Sequence, residues 1–175
     1  MKTVYLPAII IALFMLNGCT HNYTWKEYGV GARAISLKVD NNQEVRIIKG
    51  DSSKTKKMLG NIGMHKYYGN EQMLTDGIVT QLAKELRKRG ANVTSPAAKS
   101  MEVTVNSTRF EMGMWRIAAT LNYTVKFGNG KIKSYKTRNS SPSSVPRTYN
   151  GAVCRAVLEI VNDPEVQAYI NDSSD

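Results

Sequence analysis

The sequence predicts an α+β domain, a mainly antiparallel sheet with two helices packed on one face. Three observations carry this expectation. Residues 115 to 127 alternate apolar and polar without a break: Trp115, Ile117, Ala119, Leu121, Tyr123, Val125 and Phe127 against polar or small partners. Leu74, Ile78, Leu82 and Leu86 recur at every fourth position, the stripe of an amphipathic helix. Ala152, Val153, Ala156, Val157, Ile160 and Val161 form a second such stripe near the C-terminus. An alternating strand has one wet face and one that must be buried, and the two helix stripes need a surface to cover.

The elements follow in order. Ile35, Leu37 and Val39 alternate with Ser36 and Lys38 and predict a first strand over Ala34 to Val39. Asp40-Asn41-Asn42 signals a turn, and Val45 to Ile48 a second short strand. Gly50 to Gly69, with four lysines and no periodicity, reads as a long irregular loop, a feature that in compact domains is functional or disordered. The Leu74 helix ends in basic residues followed by Gly90, which suits both the dipole and the C-terminal stop. Ala91 to Thr94 begins another strand, and Met101, Val103 and Val105 continue the sheet. Gly113 marks the turn into the long 115–127 strand, where core packing is the expectation for Met112, Met114 and Trp115, and contact of an exposed hairpin tip with a partner or lipid is the alternative. Gly128-Asn129-Gly130 is a hairpin signal, and Lys131 to Arg138 returns as a lysine-bearing edge strand. Asn139 to Pro146 reads as a Ser/Pro loop. Asp163-Pro164 interrupts the last helix and starts a short turn over Glu165 to Ile170.

The N-terminus sets the compartment. Lys2 precedes the apolar run Val4 to Leu16, roughly a dozen residues against the ~20 that a membrane-spanning helix needs. A charged start and a short apolar core form an export signal. Leu16-Asn17-Gly18-Cys19 then resembles the bacterial lipobox, with Asn17 where Ala or Ser is commoner. That resemblance implies cleavage before Cys19 and a covalent lipid on its thiol. An ordinary secretory signal with a chance cysteine is the other reading. Thr20 stands where Asp would favour the inner membrane, so the implied location is the periplasmic face of the cell outer membrane, with the inner membrane as the alternative. The chain thus divides into a signal peptide (1–18), a lipidated cysteine and tether (19–32), one domain (33–171) and a polar tail (172–175), disordered by this reading. Cys154, the other of the two cysteines, has no internal partner and reads as a buried small hydrophobe.

The 24 Lys and Arg against 14 Asp and Glu give a net charge of +10. Such a charge concerns partners rather than fold. After export the available polyanions are lipid head groups, lipopolysaccharide phosphates and cell-wall polymers, so nucleic acid is not expected. Two basic clusters are the candidate anionic-ligand contacts: Lys54, Lys56, Lys57 and Lys66 in the loop, and Lys84, Arg87, Lys88 and Arg89 at the helix end. Solvated charge and dipole complementarity are the plainer account of both.

Motifs for chemistry are sparse. The histidines His21 and His65 have no zinc-site spacing with cysteine, and no Gly-x-Ser-x-Gly elbow exists. Gly29-Val30-Gly31-Ala32-Arg33-Ala34 lacks the strand and helix that a dinucleotide fingerprint requires. Glu102 and Glu111 fall on one strand but far apart. No catalytic residue, no metal site and no cofactor beyond the lipid on Cys19 is expected.

Several stretches together resemble one family. They are the lipobox, Leu86-x-x-Arg89-Gly90-Ala91-x-Val93, the three-strand meander, the Ser-rich loop, Asn150-x-Ala152-Val153 and Asn162-Asp163-Pro164-Glu165-Val166-x-x-Tyr169-Ile170. They are similar to the YajG-type envelope lipoproteins of bacteria, from about residue 70 to 170 plus the signal. The resemblance implies a non-enzymatic, membrane-anchored lipoprotein that acts as a binding or accessory factor. The alternatives are an interaction subunit of a larger cell-surface complex and, further off, an envelope hydrolase. The Lys-rich Gly50–Gly69 stretch is not part of the family pattern and is the first place to look for a specific role.

Overall fold

The computed structural model describes residues 18–29, 36–39 and 43–172. In chain order the elements are β1 (Thr20–Asn22), β2 (Glu44–Lys49), β3 (Lys57–Ile62), β4 (His65–Gly69), α1 (Glu71–Lys88), β5 (Asn92–Val93), β6 (Ser100–Met112), β7 (Ile117–Phe127), β8 (Ile132–Ser141), α2 (Val145–Asn162) and α3 (Pro164–Asn171). The α+β expectation holds, with two sheets in place of one. A five-stranded sheet has the order β5-β2-β6-β7-β8, and a three-stranded sheet the order β1-β4-β3. The meander β6-β7-β8 is antiparallel. By contrast, β2 runs parallel to both of its neighbours.

The predicted alternation decides which face is covered. Met101, Val103, Val105, Leu121, Tyr123, Val125 and Phe127 are all buried against Leu74, Ile78, Leu82 and Leu86 of α1 and the Ala152–Val161 stripe of α2. Caps fix the helix ends. Asn70 accepts from the Met73 N–H at 2.9 Å, and Ser144 caps α2. Gly90 adopts φ +95°, the left-handed stop that its sequence position predicts. Lys99 is buried, and its ammonium meets the carbonyls of Ile170 (3.1 Å) and Asp172 at the negative end of α3.

Several expectations are corrected. The Gly50–Gly69 loop contains the β3–β4 hairpin, turned at Gly63 with φ +55°. Its strands lack alternation because Gly60 and Gly69 occupy places where a side chain would collide, with the Phe110 ring and with Leu59 respectively. The expected tether is no free linker. Thr20–Asn22 pairs with β4, Tyr23 is buried, and Tyr23 donates to Asn150 Oδ1 at 2.7 Å. The expected first strand is absent over Ser36–Val39. Leu37 is buried there, but the backbone is held by side chains, Asn162 Oδ1 accepting from the Ser36 N–H at 2.7 Å. Ala34, Ile35 and the Asp40-Asn41-Asn42 turn lie outside the described residues. Most of the Asn139–Pro146 loop is taken up by β8 and the start of α2. Met112, Met114 and Trp115 do not pack in the core; they stand exposed at the β6–β7 turn.

The segment that leads from β2 to the smaller sheet completes the edge of β6. β2 pairs with β6 only from Ser100 to Val103, while β6 continues to Met112. The Gly50 N–H closes on the Val103 carbonyl at 2.9 Å. The next inward N–H, that of Val105, is taken by two hydroxyls, Ser52 Oγ at 3.1 Å and Thr75 Oγ1 at 3.0 Å, themselves 2.7 Å apart. Both hydroxyl residues are buried, so they substitute for the missing strand.

The redundancy makes a prediction. Ser52→Ala or Thr75→Val leaves one acceptor for Val105 and should cost about 1 kcal/mol, whereas the double variant strands a buried N–H and should cost more than the sum. Urea denaturation of the four proteins measures this, and strict additivity would contradict it. A second prediction concerns acid. Asp163 accepts from Lys133 Nζ at 2.7 Å, the Tyr135 hydroxyl at 2.9 Å and the Glu165 N–H at 2.9 Å. Burial acts to raise its carboxyl, but these partners outweigh it and hold the group below the usual carboxylate range. A depressed carboxyl stabilises the fold fully above its unfolded value, about 3.9, and loses that contribution as pH falls through the lower folded value. Asp163→Asn should keep the helix cap, lower the melting temperature at pH 7 and flatten its fall between neutral and acid pH.

Candidate functional site

Cys19 stands at one pole of the domain with little slack behind it. Its carbonyl accepts from the Lys66 N–H at 2.9 Å, and Thr20 opposite Lys66 already begins β1. Gly18 lies so close to the Met64 carbonyl that any side chain there would collide. The exposed Cys19 is therefore fixed beside the β3–β4 tip. Next to it the rings of His21 and His65 share a hydrogen bond, Nε2 to Nδ1 at 2.9 Å, and His21 stacks on Tyr67. Which ring donates depends on the tautomers of the two imidazoles. Among the described residues no group of three His, Cys, Asp or Glu is placed to hold a metal ion.

From this pole the chain runs down the helices as a strap. Trp25 lies against Gly77, where any side chain would strike the indole. The Tyr28 carbonyl accepts from Gln81 Nε2 at 2.6 Å, and Glu27 pairs with Lys84 at 2.7 Å. Cys154 is half-buried rather than buried. Burial pushes its thiol up, which disfavours the thiolate that nucleophilic chemistry needs.

The eight basic residues singled out in the sequence do not form one patch. Lys54 is exposed, 3.8 Å from Asp51, and Lys56 sits over the Tyr68 ring. Lys57 is bound to the buried Glu71. Lys66 is exposed on β4 beside Cys19. Of the helix cluster, Lys84 pairs with Glu27 and Lys88 with the buried Glu85 at 2.7 Å. Arg89 is the C-cap residue of α1. Arg87 donates to the Val93 carbonyl at 3.4 Å and faces an open groove of about 650 Å³ between α1 and strands β2 and β5. Arg46 and Lys49 of β2 line the same groove, over a floor of Ile47 and Val79. Sequence reading missed both, because only the parallel pairing of β2 with β5 and β6 brings them opposite Arg87. Lys49 is 3.1 Å from Asp76, and Arg46 reaches the Ser95 carbonyl at 3.4 Å, so both are held in place yet open to solvent.

A second cavity, of about 570 Å³, lies beside the β6–β7 tip, between Met114, Trp115 and Ala118. Glu111 at its rim binds Arg138 at 3.1 Å and Arg109 at 3.5 Å. Glu102 and Glu111 both lie on β6 and do not converge. No described helix is long and apolar enough to cross a membrane.

No protein-family model matches the sequence, and no curated protein matches it. Solved structures with a similar chain path include a Xanthomonas campestris protein of the DUF330 family, at 15% identity over 87% of this chain and 95% of that one, TM-score 0.49. The PelC dodecamer of Paraburkholderia phytofirmans is similar at 10% identity over 77% and 93%, TM-score 0.41. Lipoprotein GNA1162 of Neisseria meningitidis is similar at 13% identity over 69% and 99%, TM-score 0.37. Each is a likeness of fold at a distance.

Proposed function

We propose that this protein is a bacterial envelope lipoprotein of the YajG type, held by lipid on Cys19 at the periplasmic face of the outer membrane, and that it works by binding rather than by catalysis. The observation that carries the proposal is the placement of Cys19. It follows the lipobox-like Leu16-Asn17-Gly18, it is exposed, and it stands where the folded domain begins. An acyl transferase acting there would meet an accessible thiol, and several acyl chains would anchor the domain where one would not.

The binding surface proposed is the groove of Arg46, Lys49 and Arg87. Three cations over an apolar floor suit a phosphate- or carboxylate-bearing envelope molecule that also carries apolar bulk. The chain's net charge of +10, of which Lys2 alone lies in the proposed signal, favours approach of such a polyanion.

Intact mass spectrometry of protein drawn from native membranes, beside a Cys19→Ala version, tests the anchor. The expected mass is residues 19–175 plus a diacylglyceryl group and one amide-linked acyl chain, and the variant should retain neither. An unlipidated wild-type chain would overturn the proposal. For the groove, Arg46→Gln with Arg87→Gln should weaken lipopolysaccharide binding about tenfold, some 1.4 kcal/mol, without changing the melting temperature. Unaltered affinity would remove the groove as the site.

A further inference from the structure

Trp115 and Met114 are 83% and 89% exposed, at the turn between β6 and β7. Met112 beside them and Met64 at the β3–β4 turn are 56% and 61% exposed. Among the described residues, these two turns hold four of the six large hydrophobic side chains that stand in solvent. Turns are ordinarily polar, and apolar bulk gathered at two of them marks a contact surface.

The two turns leave the body at the same end. The Tyr149 hydroxyl donates to the Leu59 carbonyl at 3.0 Å and accepts from Thr108 at 3.2 Å, which sets Leu59 level with Thr108. Gly60 lies on the Phe110 ring. A step forward along β3 is thus also a step forward along β6. Met64 lies four residues beyond Gly60 and Met114 four beyond Phe110, so each turn is within about 14 Å of that contact. Gly18 packs on Met64, and Cys19 follows directly. Lipid anchor and apolar turns therefore share one pole.

From this juxtaposition we infer that the pole is a bilayer-facing surface, with Trp115 and Met114 seated at the head-group level of an anionic phospholipid membrane. The inference rests on lipidation of Cys19. Two observations single out the bilayer as the occupant. The Cys19 carbonyl is tied to Lys66, so a lipid on Cys19 brings this pole down onto the membrane. The charge also fits: Arg109, Arg116 and Arg138 surround the Trp115 turn with Glu111 as the single described acid among them. Tryptophan prefers the membrane–water interface, and basic side chains beside it meet anionic head groups.

The test uses the lipidated full-length mature chain in vesicles of phosphatidylethanolamine and phosphatidylglycerol, with or without brominated acyl chains. Trp25 and Trp115 are the two tryptophans, so brominated lipid should remove about half of the wild-type emission and almost none of that of Trp115→Ser. Because Trp115 is so exposed, the variant should melt with the wild type, and a melt checks this. Intact mass of the same sample reports the lipid. Lipidated, vesicle-bound protein whose Trp115 stays open to aqueous iodide would overturn this inference and leave the anchor standing. A chain without lipid would overturn both. Protection of Trp115 that rises with protein concentration in the absence of vesicles would assign the turn to a second copy of the chain and overturn the membrane assignment.

Discussion

The architecture depends on the unequal lengths of β2 and β6. β6 runs for 13 residues, but β2 pairs with only its first four. An uncovered strand edge inside a protein leaves N–H and carbonyl groups without partners, and such groups are costly when buried. The loop after β2 turns inward at Gly50, where the Thr104 side chain leaves no room for a Cβ. Ser52 and Thr75 take over at Val105, and the β3–β4 hairpin lies against β6 further along. The smaller sheet is thus a consequence of an edge that β2 does not cover. Its β4 edge is covered in turn by β1, which brings Cys19 to the pole.

The strap from Tyr23 to Tyr28 uses the two helices together. Asn150 is buried on α2 and its amide oxygen takes both the Tyr23 hydroxyl and the Lys26 N–H at 3.2 Å. Gln81, buried on α1, takes the Tyr28 carbonyl. Buried amides facing out of each helix give the passing backbone fixed partners. Half-buried amides do the same lower down, where Asn162 holds Ser36 and Asn171 holds the Lys38 carbonyl at 2.9 Å.

Strong periodicity made the meander and both long helices readable in the sequence, because each buries a single continuous face. The hairpin of β3 and β4 was not readable. Its Lys57-Met58-Leu59-Gly60-Asn61-Ile62 run has no period of two, and its place depends on glycines accepting Phe110 and Leu59 at close range. The strap failed for a related reason: its order comes from single side chains on two helices, 53 residues away for Gln81 with Tyr28 and 127 for Asn150 with Tyr23, and a local pattern carries no trace of them. Trp115 misled in the opposite direction. It keeps the phase of the strand that follows, but the strand starts at Ile117 and the phase runs past its end. Of the candidate site, Cys19 and Arg87 could be named in advance, whereas Arg46 and Lys49 needed the parallel crossover that no local signal announces.

The tie between the Cys19 carbonyl and Lys66 has a consequence for reach. A lipoprotein with a long flexible leader can search a volume tens of ångströms deep, since a coil of n residues spreads about 5–6 Å times the square root of n. A chain anchored through lipid on Cys19, and paired into a sheet from the next residue, would search almost none. Its working height would be set by the length of its own body, in which the 13 residues of β6 at ~3.3 Å each span some 43 Å. If the proposed lipid anchor is present, the protein would meet only what comes to the membrane surface or is delivered within that layer. It would sense the bilayer's immediate neighbourhood and remain blind to the rest of the compartment.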